Sequence, residues 1–153
     1  MKTAAVQILE RLQLPYELRE YDEEELTVDE AAAKLGLPLE RVFKTLVVQG
    51  DRTGVMLACL PGGHALDLKA LAHASGNKRA ELVPADAIHR LTGYLRGGVS
   101  PLGSRKRFPL YLDESALGHA TISVSAGMRG LQMLVAPRSL VRAGGATLTR
   151  LTA

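Results

Sequence analysis

Apolar residues recur at helical spacing from the first residues onward. Val6, Leu9 and Leu12 fall about one turn apart and Pro15 follows, which predicts an amphipathic helix over 3–13 that ends near Leu14. The period then changes to two: Tyr16 and Leu18 alternate with charged neighbours, which predicts a strand over 16–21. An acidic turn, "DEEE", follows at 22–25. Thr27 and Glu30 then have capping-box spacing ahead of a helix, "DEAAAKL", stopped by Gly36. The strongest local signal is the pair "KTLVVQG" (44–50) and "GVMLACL" (54–60) around "DRT", two β-rich runs joined by a short polar turn, expected to be central strands.

Asp67 is placed to cap a helix that Gly76 stops, a short strand "AELV" comes next, and another helix opens at Pro84. Beyond a glycine-rich stretch, "PLYLDES", "ATISVSA" and "GLQMLVA" predict three more strands, and "PRSLVRAGG" predicts a closing helix with Pro137 early and glycine at its end. Several hairpin strands with helices scattered among them indicate an α+β fold, a largely antiparallel sheet curled toward a barrel with surrounding helices. At 153 residues, one domain over 1–153 is expected.

Composition narrows the class. Hydrophobic residues make up 46% and charged residues 23%, interspersed along the chain, which excludes a disordered chain. No apolar run reaches the ~20 residues a spanning helix needs, and "MKTAAVQILERLQL" lacks a secretory pattern, so a cytoplasmic location without membrane is expected. The lone Cys59 lies in an apolar run and reads as a buried, inert thiol. The net charge of +3 is unevenly spread: residues 1–40 hold ten acids and four bases, residues 41–153 six acids and fifteen bases. The later part suits a polyanionic partner, nucleic acid first, or is simply a solvated basic surface.

The chemistry-bearing residues are few. His64, His73, His89 and His119 lack metal-ligand spacing, there is no nucleophile elbow, and "RGGVSPLGSRKR" has the wrong order for a phosphate loop, so neither metal nor other cofactor is expected. Lys44 stands at the entry to a central strand, where it either points to solvent or aims a cation into a cleft. Gly97 and Gly98 form either a plain tight turn or a backbone approach with N–H groups free for an oxyanion. Ser125, Gly127 and Gly130 mark a second small-residue turn. Arg105, Lys106, Arg107 and Arg129 are candidates for phosphate contacts or ordinary loop charges.

Four segments in order, "VFKTLVV" at 42–48, "LDLKALA" at 66–72, "TGYLRGGVSPLG" at 92–103 and "ISVSAGMRGL" at 122–131, resemble the YbaK family, the aminoacyl-tRNA deacylase or prolyl-tRNA-synthetase-associated domain. The resemblance implies a mixed α/β fold around a largely antiparallel barrel and an enzyme that hydrolyses the ester of a wrong amino acid on tRNA. Cys-tRNA(Pro) is the first substrate it implies, with Cys-tRNA(Cys), Ala-tRNA(Pro) or a broader range as alternatives. Beside these stand a non-catalytic tRNA or nucleotide-binding module and a synthetase-interaction module.

Lys44 and Thr45 match the family's functional lysine and its neighbour, Gly98 a glycine lying against the substrate carbonyl, and Tyr21 and Ser125 pocket positions. Gln132 departs from an aspartate in related deacylases, and so brings no charge to pair with the substrate ammonium. Lys44 is expected to anchor the 3′-terminal ribose-phosphate region, and the backbone at Gly97 and Gly98 to face the carbonyl oxygen. In cysteine-specific members the substrate's own thiol attacks; in alanine-specific relatives a water does. The implied partners are the acceptor end of tRNA(Pro) and prolyl-tRNA synthetase, without DNA.

Overall fold

The protein, described here from a computed structural model, is defined over residues 2–22 and 27–153; of the acidic turn expected at 22–25, all but Asp22 lies outside the described residues. Helix α1 (Ala4–Arg11) starts at Thr3, whose hydroxyl accepts from the Val6 N–H, and turns off at Gln13, with Leu14 N–H donating to Leu9 O. Strand β1 (Glu17–Glu20) leads to α2 (Val28–Leu35), where both halves of the capping box form between Thr27 and Glu30 and Gly36 closes the helix at φ 70°.

Strands β2 (Phe43–Gly50) and β3 (Gly54–Pro61) form the expected hairpin, with Lys44 opposite Leu60 and Thr45 opposite Cys59. Helix α3 (Leu68–Ser75) is capped by Asp67, and buried Asn77 beyond its end accepts the N–H groups of Arg52 and Thr53, fixing the hairpin turn against the helix. Strand β4 (Ala80–Leu82) follows. The helix expected at Pro84 is a 3₁₀ turn, Ala85–Ala87, running into α4 (Ile88–Thr92). Strands β5 (Leu110–Asp113), β6 (Ile122–Met128) and β7 (Leu131–Val135), then α5 (Pro137–Gly144) and β8 (Thr147–Thr149), complete the chain.

Two sheets result. One has the order β1-β7-β6, all antiparallel; the other has the order β4-β2-β3-β5-β8, in which β3–β5 and β5–β8 are parallel. A parallel bridge between Val42 and Ser123 brings the start of β2 against β6, so the sheets curl around one core of Phe43, Val47, Leu57, Ile122, Val124 and Met133, among others. The opposite face of β2 and β3, with Val48, Met56, Ala58 and Leu60, packs on Leu71 of α3 and on Leu151. No helix among the described residues is long and apolar enough to cross a membrane.

Candidate active site

A cavity of about 380 Å³ opens where β2 leaves its sheet beside β6 and β7. Val28 and Ala31 of α2 close one side, and Leu82, Val83 and Ile88 the other. The volume falls in the range of small-molecule sites.

Strand alternation puts Phe43, Thr45 and Val47 toward the main core, and Lys44 with Leu46 and Val48 toward the other face. Lys44 is half-buried at the strand entry and also lines the cavity. Its ammonium donates to His64 O at 2.7 Å and Gly62 O at 3.3 Å. An ammonium has three N–H donors, so two carbonyls fix its direction and leave one donor for a ligand. Desolvation lowers its pKa from the usual 10.5, and the charge of Asp29 opposes this.

The carbonyls that hold Lys44 belong to Gly62 and His64, on either side of Gly63. A β-carbon at Gly62 would fall 2.0 Å from Val28 Cγ1 and 3.0 Å from Val42 O, so only glycine lets α2 and β2 approach this loop together.

The second glycine pair has two separate reasons. Gly97 lies at φ +87°, a left-handed conformation that favours glycine, and lines the cavity. Gly98 has no positive φ; a β-carbon there would sit 3.0 Å from the Arg129 nitrogen and 3.1 Å from the Met128 carbonyl carbon, against backbone on the β6–β7 turn. The Gly98 N–H donates to Leu95 O at 2.8 Å, while the Gly97 N–H meets no acceptor among the described residues. Arg129 Nε holds the same turn through Arg96 O at 2.7 Å, and the Ser125 hydroxyl donates to Gly98 O at 3.0 Å while accepting from the Gly127 N–H. The free amide is therefore carried on a turn pinned from three sides.

Gln132 is nearly buried and shares the cavity wall with Ser125, its register partner. Its Oε1 accepts from the Ser123 hydroxyl at 2.7 Å, and a hydroxyl could equally accept from the amide nitrogen if the side chain turned over. Gln132 can thus offer the cavity a neutral donor or a neutral acceptor. The Thr45 hydroxyl is buried and makes no hydrogen bond of ordinary length and angle among the described residues. Burial pushes the Cys59 thiol opposite it up to about 12, with the Thr45 hydroxyl pulling weakly the other way, so Cys59 carries no thiolate at neutral pH.

Tyr21, Lys44, Thr45, Gly97, Ser125 and Gln132 all line this one cavity, and Gly98 lies directly behind Gly97. Sequence reasoning missed Arg96, Leu82 and Ile88, which also line it, and the "PGGH" loop that holds Lys44. It missed Tyr94 too. Its hydroxyl donates to Leu102 O at 2.6 Å and lies where a β-carbon at Gly103 would fall, and its ring lies where one at Gly127 would fall, so it is the post around which the 93–103 loop is wound. The missed signal was an aromatic residue within a run of glycines. No histidine, cysteine or carboxylate lines the cavity among the described residues, nor does any group of three or more such side chains form a metal-binding cluster there.

A cavity lined by an oriented cation and by Gly97, whose N–H is unpaired among the described residues, can bind and polarise a small ligand. The aminoacyl-tRNA editing domain family matches residues 22–143, and the chain belongs to that family. Among its relatives is "Putative Cys-tRNA(Pro)/Cys-tRNA(Cys) deacylase EbsC" of Enterococcus faecalis, 44% identical over 142 residues, which are 92% of this chain and 87% of that one. A proline–tRNA ligase of Acidithiobacillus ferrooxidans is 31% identical over 108 residues, 71% of this chain but 19% of the ligase. Among solved structures, one described as "a putative trans-editing enzyme for prolyl tRNA synthetase" superposes with a TM-score of 0.85 at 26% identity, covering 100% of this chain and 99% of that one. Another, "hypothetical protein APE2540", gives 0.91 at 27% identity, covering 99% and 100%.

Proposed function

We propose that this protein is a trans-acting deacylase that clears cysteine from mischarged tRNA(Pro), and that it does so by positioning rather than by an enzyme nucleophile. The observation that carries the reading is the pairing of Lys44, aimed by two carbonyls, with the unpaired Gly97 N–H on the same cavity. The similarity to EbsC supports the choice of cysteine, and the similarity to a segment of proline–tRNA ligases supports tRNA(Pro) and a working association with the synthetase.

An aminoacyl ester is already labile, so orientation and oxyanion stabilisation suffice as catalysis. The free N–H of Lys44 anchors the ribose-phosphate end and orients the ester. The Gly97 N–H faces the carbonyl oxygen as it gains charge, and Gly98 lets the turn seat against the β6–β7 backbone. Tyr21, Thr45, Ser125 and Gln132 shape the amino-acid pocket, with Gln132 meeting the substrate amino group as a neutral acceptor. The substrate sulfur then bonds to its own carbonyl carbon, the bond to the ribose oxygen breaks, and the thiol proton ends on that oxygen. A cyclic thioester leaves, and water opens it. Such a site is needed because a pocket shaped for one small side chain rejects a similar one by only ~10–200-fold.

The reading is tested by the release of labelled cysteine and labelled alanine from tRNA(Pro) charged with each. Fast cysteine release with slow alanine release is expected. Equal rates would transfer the attack to a bound water, and no release of either would leave a binding module.

A further inference from the structure

The run Arg105, Lys106, Arg107 is not absorbed by the active site. It forms a ridge between two further cavities. On one side, about 350 Å³ is bounded by Arg11 at the end of α1, Arg142 on α5, Lys106 and Arg107. On the other, about 460 Å³ is bounded by Arg90 of α4 together with Arg105, Lys106 and Arg107. Six cations from four separate parts of the chain thus converge, and no carboxylate lines either cavity among the described residues.

All six are exposed, and none makes an ion pair or side-chain hydrogen bond among the described residues. Elsewhere among the described residues, Arg19, Arg41, Arg129 and Arg150 each engage a protein acceptor, whereas Arg52, Arg79, Arg96 and Arg138 do not; what sets the six apart is that they share the walls of two adjoining cavities. Like charges held together without protein counter-charges gather counterions, and a polyanion that replaces those counterions is favoured by their release.

The ridge and the active site share one segment. Gly97 lines the first cavity and Lys106 stands nine residues later, a span of at most about 32 Å even if fully extended. The loop is shorter than that, because Tyr94 is bonded to Leu102 O and the Arg105 N–H to Thr92 O. The ridge thus lies within reach of a chain of phosphates whose 3′ end enters the active site.

We propose that Arg11, Arg90, Arg105, Lys106, Arg107 and Arg142 form the docking surface for the RNA backbone of the acceptor stem, read by charge and shape rather than by sequence. This rests on the aminoacyl-tRNA reading above, and its test uses uncharged tRNA so that the two can fail separately. Binding of an uncharged tRNA(Pro) transcript is titrated over a range of salt with wild type, with Lys106→Glu/Arg107→Glu, and with Lys69→Glu/Lys78→Glu, an equal charge change at two exposed positions that line neither cavity. The ridge variant should bind at least about 10-fold more weakly at low salt, and the slope of log affinity against log salt should fall by about two. The control should stay within about 3-fold of wild type, and the ridge variant should hydrolyse a cysteinyl ester of adenosine at the wild-type rate. Unchanged affinity and slope in the ridge variant would overturn the proposal, as would an equal loss in the control, which would make the effect one of net charge.

Discussion

Two glycine pairs flank the cavity, and they do opposite things. At the first, the loop turns the carbonyl oxygens of Gly62 and His64 toward a lysine; at the second, Gly97 lines the cavity with an N–H that has no acceptor among the described residues. One pair aims a positive charge and the other supplies a fixed partial positive charge, so the cavity gains two electropositive groups without a catalytic acid or base. In each pair one glycine is required by close packing, Gly62 against Val28 and Gly98 against the β6–β7 turn, and only Gly97 is required by its φ. Backbone conformation and backbone proximity are different demands that the same residue type meets.

That contrast can be broken at several places. Gly62→Ala should have the largest effect, because its β-carbon meets Val28 at 2.0 Å and the backbone at Val42; α2 must shift, costing about 2–3 kcal/mol in chemical denaturation and misaiming Lys44. Gly98→Ala should cost about 1–3 kcal/mol and lower single-turnover deacylation by displacing the Gly97 turn from Arg129. Gly97→Ala meets no close atom, with Arg129 Nε nearest at 3.6 Å, so its cost should be the conformational ~1–2 kcal/mol alone. Loss of stability larger than for Gly98→Ala would reverse the assignment of φ to one glycine and packing to the other.

The smallest effect should be one of pH. Burial lowers the pKa of Lys44 below 10.5, so in the window between the folded and unfolded values the unfolded chain holds more protons and stability rises with pH. The same loss of charge should remove activity. The alkaline limb of enzyme-dependent deacylation, after subtraction of spontaneous hydrolysis, is expected to fall below pH 10.5 while this group's contribution to stability increases. A limb at or above the ordinary lysine value would detach Lys44 from the chemistry.

Much of the fold was legible because its signals are local. The β2–β3 hairpin, the Thr27–Glu30 box and the stops at Gly36 and Gly76 each depend on residues close in sequence. Strand β8 was not legible: its three residues are too few to establish a period, and it exists because it adds in parallel to β5 while Asp113 accepts the Leu151 N–H at 2.7 Å. Within the site, Lys44 and the 97–98 pair stood out by residue type and context. The Gly62–Gly63 loop did not, since its purpose appears only once Val28 of α2 and Lys44 of β2 are brought to it. Arg11 and Arg142 likewise join Lys106 and Arg107 only through the packing of α1, α5 and the 101–108 loop.

If Lys44 is held for function at some expense to stability, Lys44→Met should separate the two. Its deacylation rate on Cys-tRNA(Pro) and its melting temperature should be measured beside wild type at neutral pH. The expected result is a rate reduced by about 10²-fold or more with a melting temperature equal to or above wild type, because a desolvated charge has been replaced by an apolar chain of similar length. A folded Lys44→Met protein that still deacylates at the wild-type rate would contradict it.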